Sequence, residues 1–580
     1  MASPRTEAKW LKWYEEIDSD TNSCSDLDDA ASEDSIHNTG TEQSSDEEEM
    51  IESISQPQRL SKVPLFVGKN DTKWLKHKTY EPSRKTRSQN IITKLPGVSR
   101  EAKGAKEIID CWQIFFTTEI IAEIVTYTNQ KVDEMRKFYG RPRDCLPTDL
   151  EELMVFFGLL YLAGVKKSQH LHTSELWASD GTSSSYFPAT MSQKRFHILL
   201  RALRFDDKTT RKERSNIDNF AAFRNVFDTF VHKCTSSYFP HQYFTIDKML
   251  EAFRGRCRFR QFIKSKPAKY GLKIFVLVDS RTFYIHNMEM YCGKQPSGPY
   301  QVPNDAASIV KRLIKPINKS GRNITADNYF SSVPLANELY INHHLTYVGT
   351  LRKNKRDIPP ELLQVKNRPV HSTMCAFGKC TLTSYIPKKH KNMLMISTFH
   401  DSDTIDPESR VQKAEVIMFY NSTKGGVDVA DRMKAEYSVT RFSNRWPFTL
   451  FCSLQNIASI NSQIIYRNNT ENVISRRFFI LSLAKSLIKP HMVRRSSLSN
   501  ISVSLQQKIC SIVGKSADKV AFMNPGEAQS KARCGFCPCR KNRFTNNKCS
   551  RCQTPLCREH TGTTVFVCYK CKEAEDNLTE

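Results

Sequence analysis

Residues 244–257 read FTIDKMLEAFRGRC. Asp247 sits in a short β-like run, and Arg254 and Arg256 follow in a Gly-containing loop. A structural carboxylate would pair with one of those arginines. A catalytic carboxylate would have other acids converging on it from elsewhere in the chain, so the flanking sequence has to decide between them.

Tyr243–Met249, Leu272–Asp279, Thr282–Tyr291 and Asn323–Ala326 read as strands, Leu335–His343 as a helix and Leu345–Thr350 as a further strand. That order predicts an α/β domain with a mixed sheet inside a multidomain α+β chain. Upstream, apolar residues recur at helical spacing over 112–138, 148–164, Met191–Leu203 and Asn219–Tyr238. The apolar run Leu153–Val165 is shorter than the ~20 residues a membrane helix needs, which makes it a core helix. Downstream, residues 353–414 read as an irregular insertion with short strands near 381–386 and 392–398. Val416–Tyr420 reads as a strand and Val427–Tyr437 as a helix, and Pro447 suits the first turn of a long helix reaching about Arg467. More helix is expected to about Leu487, and the Ser- and Lys-rich residues 494–532 read as a linker.

The chain has 580 residues and a formal net charge of +25, unevenly placed. Residues 15–52 are rich in Asp, Glu and Ser, contain no Lys or Arg, and cannot bury enough apolar surface to fold. They read as a solvated tail, or as a DNA mimic tuned by phosphorylation of Ser44 or Ser45. Residues 69–103 switch to a basic arm, and order is expected from about residue 108. A body this basic calls for a polyanionic partner, with nucleic acid first. No signal-peptide core and no basic amphipathic helix stands out, so a soluble intracellular protein is expected.

Three places resemble Asp247 in kind. Asp327 ends a strand, Asp428 starts a helix, and Asp431 follows Asp428 one turn on, on the same helix face. If two strand ends and the helix meet, the carboxylates repel one another unless protons or hard divalent ions compensate. Two such ions serve phosphodiester chemistry by activating a nucleophile and stabilising the leaving oxygen. Singly, each acid has a plainer role: Asp327 or Asp428 near a helix N-terminus, Asp247 paired with Arg254.

The segments TIDKMLEAFRGRCRF (245–259), KPAKYGLKI (266–274), RNITADNYFSSVPLA (322–336), VGTLRKNKRDIP (348–359), YNSTKGGVDVADRM (420–433) and NRWPF (444–448) together resemble the piggyBac family of DNA transposases. The resemblance runs from about residue 110 to 571. It implies a ribonuclease-H-like catalytic core with a metal-binding triad of Asp247, Asp327 and Asp428, with Asp431 as a further acid near the site. It implies Mg²⁺ in a two-metal site, with Mn²⁺ as a substitute. It also implies a homodimer or higher assembly on double-stranded DNA in the nucleus, recognition of terminal inverted repeats, excision through hairpinned ends and insertion at TTAA. By composition residues 1–107 read as disordered, and the division of the rest follows the resemblance. Residues 108–242 and 437–510 form one helical DNA-binding and dimerisation unit, and 243–352 with 415–436 form the catalytic domain. Residues 353–414 are an insertion domain, 511–532 a linker and 533–572 a zinc-binding domain. The alternative is a domesticated DNA- or chromatin-binding protein that keeps the fold without transposing.

One departure stands out. Relatives commonly follow the first Asp with Glu, whereas this chain has Lys248. On a strand Lys248 points to the opposite face from Asp247, which is expected to spare metal binding while changing the local charge.

Arg254, Arg256, Lys266, Lys269, Arg352, Lys353, Lys355 and Arg356 cluster near expected strand ends and are candidates for phosphate contacts, or form solvated basic loops. The resemblance points to Arg352 and Lys355 for target DNA. Trp446, beside Arg445, reads either as a stacking platform for an exposed base or as a helix-start anchor in the core.

Eight of the 18 cysteines lie between 534 and 571. Cys534-x₂-Cys537, Cys549-x₂-Cys552, Cys557-x₂-His560 and Cys568-x₂-Cys571 supply ligands for two closed zinc sites. Spacing leaves sequential and crossed pairing open. The family resemblance implies a cross-brace: Cys534, Cys537, Cys557 and His560 on one ion, and Cys549, Cys552, Cys568 and Cys571 on the other. Cys539 is left over, and Arg533, Arg540, Lys541, Arg543 and Arg551 suggest a grip on terminal-repeat DNA, with protein binding as the alternative.

Overall fold

The computed structural model describes residues 64–78, 90–178, 180–264, 266–406, 409–498, 501–514, 532–541, 543–550 and 552–561. The acidic stretch 15–52, with Ser44 and Ser45, lies outside them, as do Arg551, Cys568 and Cys571. The chain divides into two compact units, Met1–Val513 and Gly514–Glu580.

In the first unit the strands are β1 (Leu65–Val67), β2 (Lys73–Leu75), β3 (Gly97–Val98), β4 (Tyr238–Phe239), β5 (Tyr243–Ala252), β6 (Gln261–Phe262), β7 (Tyr270–Asp279), β8 (Ile285–Met290), β9 (Asn323–Ala326), β10 (Thr346–Thr350), β11 (Thr373–Phe377), β12 (Thr381–Lys388) and β13 (Lys391–Ser397). All but β3 and β4 join one mixed sheet in the order β1-β2-β11-β12-β13-β10-β9-β5-β7-β6, with β8 also on β7. β5, β9 and β10 are mutually parallel, so their C-terminal ends lie along one edge.

The longer helices are α1 (Thr118–Arg136), α2 (Leu150–Val165), α3 (Gln193–Ala202), α4 (Arg224–Ser237), α5 (Ala306–Leu313), α6 (Val333–Asn342), α7 (Glu415–Thr423), α8 (Gly426–Glu436), α9 (Trp446–Thr470), α10 (Arg476–Ser496) and α11 (Val503–Val513). Side-chain caps start several of them: Thr117 accepts from Ile120 N–H, Asp149 from Glu152 and Ser192 from Arg195. The strongly apolar α2 is a core helix, and among the described residues no helix is long and apolar enough to cross a membrane.

The alternation of β5 divides the core. Phe244 and Ile246 pack with Ile309 and Leu313 of α5 and Leu335 and Leu339 of α6. Met249 packs on the other face with Val427 and Ala430 of α8 and with the aromatic core around Trp112, Phe157 and Phe451. The mixed sheet expected from the sequence is therefore present, with helices on both faces.

Four expectations need correction. Order begins before residue 108: β2 pairs with β11 at Leu75 and Phe377, β3 pairs with β4, and Arg322 donates to the Lys94 carbonyl at 2.9 Å. Net charge marks solvent contact, and it does not prevent edge pairing. Val416–Tyr420 lies in helix α7, not a strand, because Val416, Ile417 and Tyr420 share one buried helical face, a pattern a short apolar run does not distinguish from a strand. Residues 353–414 do not form a separate body, since β13 extends the central sheet by pairing with β10. The linker expected over 494–532 starts too early: α10 runs to Ser496, and α11 buries Ile509 and Cys510.

His286 on β8 is buried beside Phe244 and Tyr284, with neither ring nitrogen hydrogen-bonded. Burial, then the charge of Arg322, pushes its pKa down to about 3. A depressed histidine stabilises the fold above its unfolded pKa, and that stability drains away as pH falls from about 6.5 towards the folded value. His286→Leu is expected to shrink the stability lost between pH 7.5 and pH 5 by about 2 kcal/mol. Urea unfolding at the two pH values checks this, and an unchanged difference would reject it.

Candidate active site

The candidate carboxylates come from segments far apart in sequence, held together by hydroxyl groups two residues upstream of two of them. Thr245 on β5 donates to the Thr423 carbonyl at 2.6 Å. Thr325 on β9 shares a 2.8 Å hydrogen bond with the Thr423 hydroxyl, which also donates to Phe419 at 2.9 Å. Thr423 is the last residue of α7 and buried. Successive side chains alternate along a strand, so Asp247 projects to the same side as Thr245. Thr245 pairs with Thr325 across β5 and β9, and Ile246 pairs with Ala326, which places Asp247 beside Asp327 where β9 stops. Gly425 and Gly426 then start α8, with Asp428 in its first turn. A Cβ on Gly426 would come within 2.5 Å of the Thr245 Oγ1, so a side chain there would force the helix away from the strand.

The Tyr420 hydroxyl feels Asp327, Asp247 and Asp428 together; burial first, then these three charges, raise its pKa against a hydrogen bond to Thr350. Burial and the neighbouring Asp327 lift Asp247 to about 6, opposed by the Lys248 N–H and the charges of Lys248 and Lys266. Asp247 and Asp327 are neighbours at the strand ends, and the first turn of α8, which carries Asp428, starts against Thr245. Their oxygens are not gathered tightly: among the described residues, the one group of three or more ligand atoms within 4.8 Å of one another lies in the second unit. The donor set still suits a hard divalent cation, since it is all carboxylate and its mutual repulsion is what such a cation would relieve. Asp431 is turned to Lys434 at 3.0 Å, a buried ammonium that also pairs with Glu251 of β5. Lys248 departs from the expected separation. Its ammonium lies 3.7 Å from Asp327 Oδ2, because β5 runs on past the end of β9 and leaves that edge open.

A family model described as Transposase IS4 matches residues 109–463. A solved piggyBac transposase, in a synaptic complex with hairpin DNA, is 36% identical in sequence and superposes with a TM-score of 0.72, covering 82% of this chain and all of that one. The chain belongs to the piggyBac transposase family. The human PiggyBac transposable element-derived protein 3 is 24% identical over 361 residues, which span 59% of this chain and 58% of that protein's own length.

The basic residues singled out from the family motifs divide into two sets. Arg254, Arg256, Lys269, Lys353 and Arg356 are exposed, and Lys266, Arg352 and Lys355 partly so. Arg352 lies near the site, 3.5 Å from Asn328 Oδ1 and 6.0 Å from the Tyr329 ring. Arg445 turns inward instead. It donates to the carbonyls of Leu200, Arg201 and Leu203, which close α3, so its donors are committed to holding that helix end. Trp446 stacks on Phe220 at 5.6 Å and meets Phe259 edge-on, which is the helix-start anchor and not a free stacking surface. Neither residue is retained as a DNA contact.

In the second unit, β14 (Ala532–Arg533) pairs with β15 (Phe544–Thr545). Cys534, Cys537, Cys557 and His560 converge, with His560 Nδ1 3.2 Å from Cys557 Sγ, 3.6 Å from Cys534 Sγ and 3.7 Å from Cys537 Sγ. Zn–S bonds of about 2.3 Å imply ligand atoms about 3.7 Å apart in a tetrahedron, so this set fits zinc. It joins the first pair to the third, as a cross-brace requires. Cys549 and Cys552 are described, whereas Cys568 and Cys571 lie outside the described residues.

The threonines and Tyr420 escaped the sequence reading. The signal was available: Thr245-Ile-Asp247 and Thr325-Ala-Asp327 repeat one spacing, which puts a hydroxyl on the side of each acid. Thr423→Val is expected to cost about 1–3 kcal/mol by stranding buried polar partners, with every carboxylate in place. Thr423→Ser should retain the stability. Urea unfolding measures both, and a Val variant as stable as wild type would show that the Thr423 hydroxyl does not hold the strand ends together.

Proposed function

We propose that the chain is a cut-and-paste DNA transposase with a ribonuclease-H-like catalytic core. The observation that supports this reading is the meeting of the β5 and β9 ends, with Asp247 and Asp327, at the start of the helix that carries Asp428, in a chain 36% identical to a piggyBac transposase that was solved with hairpin DNA. Asp247, Asp327 and Asp428 hold the divalent cations, Mg²⁺ or Mn²⁺, with Asp431 beside them. Bound there, the cations supply Lewis-acid activation of a water or 3′-hydroxyl and stabilisation of the leaving oxygen. Arg254, Arg256, Lys266, Lys269, Arg352, Lys353, Lys355 and Arg356 hold DNA phosphates around that edge. The enzyme acts in the nucleus as a dimer or larger assembly, excising through hairpinned ends and inserting at TTAA. The zinc module, with its second site completed by Cys568 and Cys571, grips the terminal repeats.

Excision from a plasmid carrying the cognate ends, in Mg²⁺, tests the reading. Wild type is expected to excise and Asp327→Asn to lose excision by at least about a hundredfold. Equal excision by both would reject the triad. A second reading, a domesticated DNA-binding protein, draws on the human relative described as transposable element-derived. It predicts end binding without excision in either protein.

The full-length chain is expected to carry about two zinc ions, falling to about one or fewer in Cys557→Ser. Elemental analysis of the purified protein reads this directly, and one or none in wild type would sink the cross-brace.

A further inference from the structure

Lys248 touches both strand carboxylates, by different groups. Its backbone N–H donates to Asp247 Oδ1 at 2.8 Å, and its ammonium lies 3.7 Å from Asp327 Oδ2. The ammonium is held from another side by the Tyr329 ring, 4.9 Å from its centroid. Arg352 approaches the same ring at 6.0 Å. Lys273, two strands from β9, rests over Tyr291 at 3.9 Å and Phe275 at 5.0 Å, and burial, then the charge of Lys248, lowers its own pKa to about 8. The Lys248 side chain is 23% exposed and that of Asp327 36%, so water screens the pair only in part. Two cations cannot share one carboxylate at short range without repulsion, and this one is covalently attached.

We propose that the Lys248 ammonium is a tethered competitor for the Asp327 carboxylate: a divalent cation fills the site by displacing it, and Lys248 sets the cation concentration at which filling occurs. The proposal rests on the reading that Asp247 and Asp327 hold such a cation. Removing the ammonium takes away both the competing ion pair and a like charge beside the incoming ion. The effect on cation binding needs no DNA.

The test is Mn²⁺ binding to the zinc-loaded full-length protein without DNA, followed by loss of the free-ion electron paramagnetic resonance signal, with Mg²⁺ as displacer. Lys248→Met and Lys248→Gln are expected to bind Mn²⁺ about tenfold tighter than wild type. Lys248→Arg should stay near wild type, and Asp327→Asn should lose the site. Unchanged thermal midpoints without Mn²⁺ confirm that each variant is folded, and two neutral replacements guard against one that fails. If Asp327→Asn loses Mn²⁺ while both neutral variants bind no tighter than wild type, the competitor role is wrong and the metal reading stands. If Asp327→Asn binds Mn²⁺ as wild type does, the metal reading falls and the proposal with it.

Discussion

The candidate site depends on the hydroxyl of Thr423. It closes α7, reaches Thr325 on β9, and its residue's carbonyl receives Thr245 from β5. These bonds are buried, where an unpaired hydroxyl or carbonyl is costly, so the three segments favour one arrangement. Each strand then needs only its own alternation to present an aspartate two residues on. The helix needs only to begin at once, which Gly425-Gly426 permits by letting its first turn lie against Thr245. The meeting of the strand ends that carry residues 247 and 327 with the start of the helix that carries Asp428 is thus a local consequence of hydroxyl contacts among residues 245, 325 and 423.

A second tie fixes the same helix from its other end. Lys434 of α8 is buried, pairs with Glu251 of β5 and with Asp431, and Glu251 also accepts from Ser453 of α9 at 2.8 Å. One ammonium thereby joins the sheet, the acid-bearing helix and the helical body. A buried pair of this kind contributes little net stability against an apolar substitute, yet losing one partner strands a charge. The two ties hold α8 to β5 at both ends, Gly426 against Thr245 and Lys434 on Glu251, with Asp428 in the turn between. They also commit Asp431 to a cation already supplied by the chain, so its part differs from that of the other three acids.

Much of this was legible in the sequence because the relevant periods are short. The boundaries of β9, α9 and α8 were close to those expected, since a β-branched run ending in an acid, a Pro in a first helical turn and a Gly-Gly start are local signals. The zinc ligands Cys534 and Cys537 were legible for the same reason. Their partnership with Cys557 and His560 was not settled by spacing, and is read from the convergence of the four. Helix α7 was misread because five apolar-rich residues fit both periods. Lys248 was assigned to the correct face of β5, but where its ammonium reaches depends on β9 ending at Ala326, and no property of β5 encodes that.

The arginines mark where composition stops being informative. The same guanidinium donors that suit a phosphate also suit the carbonyls at a helix C-terminus, because both present oxygen acceptors within a small arc. Arg445 takes the carbonyls of Leu200, Arg201 and Leu203, and Arg441 takes those of Ser168 and Leu171. Both lie beside an exposed Phe442, in a loop whose charge the sequence alone would count as wholly available. Arg254 and Arg256 differ in standing in a turn packed against that loop, with a Cβ on Gly255 coming within 2.6 Å of the Asn444 carbonyl. Tight backbone contact there leaves no inward room for the long side chains beside Gly255, and both remain in solvent. Whether a basic residue is free to meet DNA is therefore decided by the backbone packing around it, and a count of charges carries no such information.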